Sequence, residues 1–189
     1  MHRSGASRHT DGVDHMTDTT ATLAARLAAQ RGPLRQASLC LLLRDGEILL
    51  ARKKRGFGVG KWNGAGGKPA PGEPIERTAI RETQEELGVT PRDLRRVATL
   101  DFFFPQTPEY DGWDQQVCVF LGEAWDGEPT ESEEMAPRWF PLDALPLAEM
   151  WPDDVHWLPL VLAGKRVHAH FLYESADVIG EWAIHEGAV

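Results

Sequence analysis

Residues 66–89, GGKPAPGEPIERTAIRETQEELGV, place Glu82, Glu85 and Glu86 within five positions, next to Arg81. After the proline-punctuated KPAPGEP, the run from Ile75 to Leu87 reads as a helix ended by Gly88. On that helix the three carboxylates span roughly 100 degrees of arc, and Ala79, Ile80, Thr83 and Leu87 occupy the adjoining arc. Like charges three and four residues apart repel. Such a helix can pack its apolar stripe on a sheet only if the acidic stripe faces bulk water or a cleft that supplies positive charge. The first is the ordinary fate of a charge run.

The surrounding pattern supplies the sheet. QASLCLLLR and EILLAR are strand-length apolar runs separated by Asp45-Gly46, a strong hairpin pair. VATLDFFF, QQVCVFLGE, RVHAHFLYE and DVIGEWAIH read as further strands, and PDDVHWLPLVLAG as a second helix. Strands interleaved with helices predict an α/β chain with a mixed sheet between helices. PQTPEYDGWD reads as a long hairpin loop. Residues 1–33 are polar at first and then ATLAARLAAQR, which can form a short helix; we assign 1–33 as a flexible tail and 34–189 as one domain.

A net charge of −9 argues against binding a nucleic-acid polymer through its backbone, though a divalent ion can still bring a nucleotide to an acidic site. Cys40 and Cys118 lie in apolar runs and read as buried thiols suited to a reducing cytoplasm. No run of about 18 apolar residues suggests a membrane span. The expectation is a soluble, cytoplasmic monomer. His2, His9 and His15 are irregularly spaced, and His156, His168, His170 and His185 show no metal-ligand spacing, so all seven read as tail, strand or surface residues.

Gly67, five residues, Glu73, seven residues, then Arg81-Glu82-Thr83-Gln84-Glu85-Glu86-Leu87-Gly88-Val89 resembles the Nudix box, departing from it at Thr83, where a larger aliphatic residue is usual. That resemblance implies a Nudix fold, an α/β/α sandwich with a central mixed β-sheet. It also implies a hydrolase holding magnesium or manganese through Gly67, Glu82, Glu85 and Glu86, with Arg81 holding Glu73 or a neighbouring carboxylate in place. Hard cations and clustered carboxylates are chemically matched. Glu82 and Glu134 are both candidates for the base that takes a proton from water, and Glu134 is also a candidate metal ligand. Glycines 56–67 lack the spacing of a dinucleotide loop, and Gly67-Lys68-Pro69 cannot be a P-loop.

KKRGFGVGKWNGAGGK and EMAPRWFPLDALPLAEMWPDDVHWLPL are similar to the branch of that family that cleaves oxidised purine nucleoside triphosphates in animals. The similarity runs from Ser38 to the C-terminus, with an insertion between Pro105 and Asp114. It implies hydrolysis of nucleotides of the 8-oxo-dGTP and 2-hydroxy-dATP type to monophosphate and pyrophosphate, a nucleotide-pool sanitation activity. It further implies Asn63, Asp153 and Asp154 on the base edge, Trp151 as a stacking wall, Phe57 and Phe102 closing the other sides, Lys53 toward phosphate and Ser38 at the pocket floor. From the residues alone, Asp153 and Asp154 equally suit the first turn of a helix after Pro152. Other Nudix substrates, and a module that senses a nucleotide without cleaving it, remain the alternatives.

Overall fold

In a computed structural model, residues 22–187 are described. Asp45 and Gly46 adopt φ of 46° and 81°, and this left-handed pair turns β1 (Arg35–Arg44) into β2 (Glu47–Lys53), with Arg44 opposite Glu47. A short β3 (Trp62–Asn63) extends the pairing. The elements that follow are α2 (Ile75–Leu87), β4 (Thr90–Arg92), β5 (Arg95–Phe103), β6 (Gln115–Gly122), β7 (Ala124–Asp126), β8 (Met135–Pro141), α3 (Asp154–Leu162), β9 (Val167–Ser175) and β10 (Val178–Glu186). The first element is α1 (Leu23–Ala29).

Eight strands form one mixed sheet in the order β10-β9-β5-β6-β1-β2-β3, with β8 on β2; β4 and β7 form a separate ribbon. β1 lies parallel to β6, and β5 parallel to β9. Strand alternation divides the core in two. Leu39, Leu41, Ile48, Leu50, Leu100 and Phe102 face the α3 side. Cys40, Leu42, Leu49, Cys118 and Phe120 face α2, meeting Ala79 and Leu87. This is the expected α/β/α layering.

α2 spans the expected residues and ends at Gly88, whose φ of 75° suits a residue without Cβ. Thr83 is fully buried, and its hydroxyl donates to the Ala79 carbonyl at 2.7 Å, so the departure from the family pattern costs no unpaired polar group. Cys40 and Cys118 are buried free thiols; burial pushes Cys40 up to about 11.

Two differences from the sequence reading have clear causes. Residues 23–29, assigned to the flexible tail, form a docked helix: Leu23 packs with Phe103 and Leu172, and Arg26 pairs with Asp114. The apolar face of this short helix finds its partner only in tertiary contact. β8 escaped the strand reading because Pro137 and Pro141 interrupt MAPRWFP; it pairs only with β2, an edge position where proline is tolerated. Histidines 2, 9 and 15 lie outside the described residues. No described helix is long and apolar enough to cross a membrane.

Candidate active site

A cavity of about 640 Å³ opens on the α3 side of the sheet. Its floor comes from Ser38 on β1, Leu100 and Phe102 on β5 and Val117 on β6; its walls come from the 54–61 loop, the N-terminal end of α3, and Tyr173 on β9. Every residue expected to contact substrate lines it: Ser38, Lys53, Phe57, Asn63, Phe102, Trp151, Asp153 and Asp154. Gly67 and Glu134 line the same cavity, so the apolar end and the charged end are continuous.

The apolar end is built from rings. Phe57 stacks on Trp151 at 4.9 Å and meets Trp113 edge-on at 5.0 Å. Trp113 comes from the 105–114 segment, which is tied down where Asp114 accepts the Phe104 N–H at 2.9 Å and pairs with Arg26. Phe102 stacks on Phe171 at 5.6 Å. Gly58 has φ of 78°, and a Cβ there would lie 2.6 Å from the Trp151 ring. Gly58→Ala should therefore displace either the loop or the indole and raise KM for a purine nucleotide roughly tenfold, given about 1–3 kcal/mol of strain. Steady-state kinetics would show it, and an unchanged KM would remove Trp151 from the wall.

Asp153 and Asp154 are almost wholly buried. Asp153 does not cap α3 with its side chain; instead it accepts from Tyr173 Oη at 2.7 Å and from Trp157 Nε1 at 3.0 Å. Asp154 Oδ2 accepts the Trp151 N–H at 2.9 Å. Burial raises both carboxyls, and the neighbouring Asp153 charge raises Asp154 further, well above the ordinary carboxylate range. Asp153, supported by two donors, is the better placed of the two to carry a negative charge. Tyr173 and Trp157 carry no motif, and their role is visible only in the folded chain.

At the charged end, Arg81 grips Glu73 with Nε and Nη2, both at 2.9 Å, as expected. Its Nη1 reaches Glu82 at 2.8 Å and Glu85 at 3.1 Å. Glu85 is largely exposed and meets only this guanidinium among the described cations. Glu86 turns the other way and is buried; Oε2 accepts the Gly66 N–H at 3.0 Å, and Oε1 lies 3.9 Å from Lys53 Nζ. Lys53 also lies 3.6 Å from Glu134, which Arg55 grips. Cations thus separate the carboxylates, the arrangement expected where a divalent ion would otherwise screen them.

Burial pushes Glu86 up to about 7 against the Gly66 hydrogen bond and the Lys53 charge; Glu82 and Glu134 add to the rise. A Cβ on residue 67 would lie 2.4 Å from the Glu82 carboxyl carbon, so a side chain there would push the Glu82 carboxylate aside. The two glycine carbonyls at this end differ in what they already meet. Gly67 O already accepts from Ser38 N at 2.8 Å and Ser38 Oγ at 3.3 Å. In extended backbone the N–H and C=O of one residue point to the same side. Since Gly66 N–H points to Glu86, the Gly66 carbonyl is the one turned toward the acids.

Of the remaining aromatics, Trp125 and Trp139 stack together at 5.6 Å over the α2-side core, whereas Trp182 is half exposed against His156. None lines the cavity.

Residues 33–161 match the family described as NUDIX domain. The chain is 43% identical over 149 residues to the oxidized purine nucleoside triphosphate hydrolase of Danio rerio and 44% identical over 149 residues to that of Mus musculus. Each alignment covers 79% of this chain and 93% of the relative. A MutT protein from Bacillus halodurans superposes with a TM-score of 0.67 at 23% identity, covering 80% of this chain and 97% of that one.

Proposed function

The chain belongs to the NUDIX family, and from that premise we propose that it hydrolyses oxidised purine nucleoside triphosphates to the monophosphate and pyrophosphate. One observation carries the choice of substrate: an aromatic cavity ends in two adjacent buried carboxyls, Asp153 and Asp154, and its other end is lined by Lys53, Gly67 and Glu134 beside the acidic helix. A stacking wall holds any base, whereas a donor and an acceptor set side by side read a particular base edge. Asp153 accepts from ring N–H groups, and Asp154 donates its proton to a ring nitrogen or exocyclic oxygen. Moving the proton between them reverses the pattern and fits the pocket to both oxidised guanine and oxidised adenine.

The acidic end fits a divalent cation, with Glu82, Glu86 and the Gly66 carbonyl as the donors best placed to hold it and Glu85 more peripheral. When bound, such an ion withdraws charge from the polyphosphate and makes a water molecule easier to deprotonate. Lys53 is placed to meet phosphate oxygens once Glu86 no longer needs it. Arg81 holds Glu82 through Oε1 and leaves Oε2 available to accept the proton of the attacking water. Glu134 is the weaker candidate for that proton, because the Arg55 guanidinium and the Lys53 ammonium hold its carboxyl below its ordinary value. It suits a role in positioning.

Glu86 must lose its proton to ligate a cation. Because its carboxyl sits at about 7 in the folded, metal-free chain, magnesium affinity should fall as pH drops through 7, by up to about tenfold per unit. Calorimetric titration between pH 6 and pH 8 would show this; a flat affinity would mean that Glu86 is not a ligand.

The substrate reading is tested with a panel of 8-oxo-dGTP, 2-hydroxy-dATP, dGTP and dATP in magnesium, measuring pyrophosphate. Preference for the oxidised pair supports it. Preference for dGTP would make the protein a general purine triphosphate hydrolase, and binding without pyrophosphate release would make it a sensor.

A further inference from the structure

The sheet face turned away from the cavity carries a polar cluster that this hydrolysis does not use. On the parallel pair β5 and β9, Asp101 stands opposite His170 and Thr99 opposite His168. Alternation sends Leu100, Phe102, Ala169 and Phe171 to the cavity side and leaves Asp101, His168 and His170 together on the other. His168 Nε2 lies 2.8 Å and His170 Nδ1 3.1 Å from the same atom, Asp101 Oδ2. Gln116 Nε2 donates to Asp101 Oδ1 at 2.9 Å and fixes the carboxylate plane. Among the described residues, no other group of three His, Cys, Asp or Glu side chains brings its ligand atoms so close together.

Hydrogen bonding alone leaves this cluster incomplete. His170 Nδ1 is buried 3.1 Å from Asp101 Oδ2, and among the described residues it makes no well-aligned hydrogen bond. A nitrogen so placed is costly unless something else takes its lone pair. Ligand atoms about 2.0–2.1 Å from a tetrahedral zinc ion stand roughly 3.3 Å from one another. The observed 2.8 and 3.1 Å separations are shorter than that edge by roughly 0.5 and 0.2 Å, which small side-chain shifts would close. Two imidazoles and one carboxylate are the donors preferred by zinc-class ions, whereas magnesium takes oxygen ligands in octahedral array.

We propose that Asp101, His168 and His170 form a second metal site, for a divalent transition ion of the zinc class, with its fourth position open to water. His168 is partly exposed and provides the entry path; His185, whose ring lies 5.8 Å from that of His170, flanks it. The bound ion ties β5 to β9 directly behind the strand residues that wall the base cavity. The site does not depend on which nucleotide the cavity takes.

The test uses the full chain in excess magnesium, which occupies oxygen ligands but not imidazole. Titration with Co2+ should then give one ion per chain with the intense visible bands of tetrahedral cobalt, displaced by Zn2+, and Zn2+ should raise Tm. His168→Ala should weaken Co2+ binding about 100-fold or more and abolish those bands, while magnesium-dependent pyrophosphate release stays unchanged. His170→Ala should do the same; if that buried substitution prevents folding, the partly exposed His168 position decides. Absence of tetrahedral Co2+ in the parent chain, or the same stoichiometry and spectrum in His168→Ala, would overturn the site.

Discussion

Glu86→Gln should lower kcat by about 10³-fold or more without loss of fold, because the amide keeps the shape and the hydrogen bond from Gly66 N–H but cannot supply the charge a cation requires. KM for the nucleotide should move far less, since the base cavity is untouched. The same variant carries a stability signature of opposite sign. The free Glu86 carboxyl has an ordinary value of 4.5 and sits at about 7 when folded. A carboxyl raised on folding costs nothing while both states are protonated below 4.5, costs progressively more as pH rises from 4.5 to 7, and costs its full amount above 7. Metal-free Glu86→Gln should therefore match the parent at pH 4 and exceed it in Tm at pH 8. A variant that retains near-normal turnover would remove Glu86 from the chemistry, whereas one that unfolds at pH 8 would show its carboxylate to be structural.

The second large effect concerns the buried carboxyl pair. Asp153→Ala removes the acceptor for both Tyr173 Oη and Trp157 Nε1, two buried donors. Leaving both unsatisfied should cost about 3 kcal/mol of stability, and the purine loses its charged partner as well. Denaturant unfolding should show the loss as a lower midpoint with the same slope.

Asp154→Asn discriminates more finely. Its carbonyl can still accept the Trp151 N–H, and its NH2 still donates, as the protonated acid does. The substrate read by a neutral Asp154 should be processed almost normally. The substrate that needs the proton moved to Asp153 should lose about 1–3 kcal/mol, a ten- to hundredfold fall in kcat/KM. The ratio of kcat/KM for 8-oxo-dGTP and 2-hydroxy-dATP measures this directly. An unchanged ratio would mean that proton exchange between the pair plays no part in base choice.

The elements most legible in the sequence were those whose cause is local. The Asp45-Gly46 hairpin and α2 with its Gly88 stop follow from backbone preferences of a few adjacent residues, and both stand where the spacing places them. β8 was hidden because its prolines are acceptable only at an edge, and an edge is a property of the sheet. α1 was assigned to the tail because its few apolar residues suffice only with Phe103 and Leu172 already in place.

The site divides in the same way. Placing Arg81 on Glu73 needed only the Nudix pattern, since helix and preceding loop are continuous in the chain. Which acid goes where was decided by the sheet. Glu86 is buried against Gly66 and Glu85 is left outside on Arg81, although both sit on the same acidic arc. Trp113 reaches Phe57 only through the fold of the 105–114 segment, and Tyr173 reaches Asp153 only because β9 lies beside β5.

The sequence by itself determined the catalytic helix, the strand alternation and the chemical kinds of residue available, because these depend on interactions three or four positions apart. Tertiary structure alone decided the burial of Asp153 and Asp154, the Gly66 N–H contact to Glu86, and the meeting of Asp101 with His168 and His170. Desolvation and close convergence of side chains arise between segments far apart in the chain, and no local spacing encodes how much water is excluded where they meet.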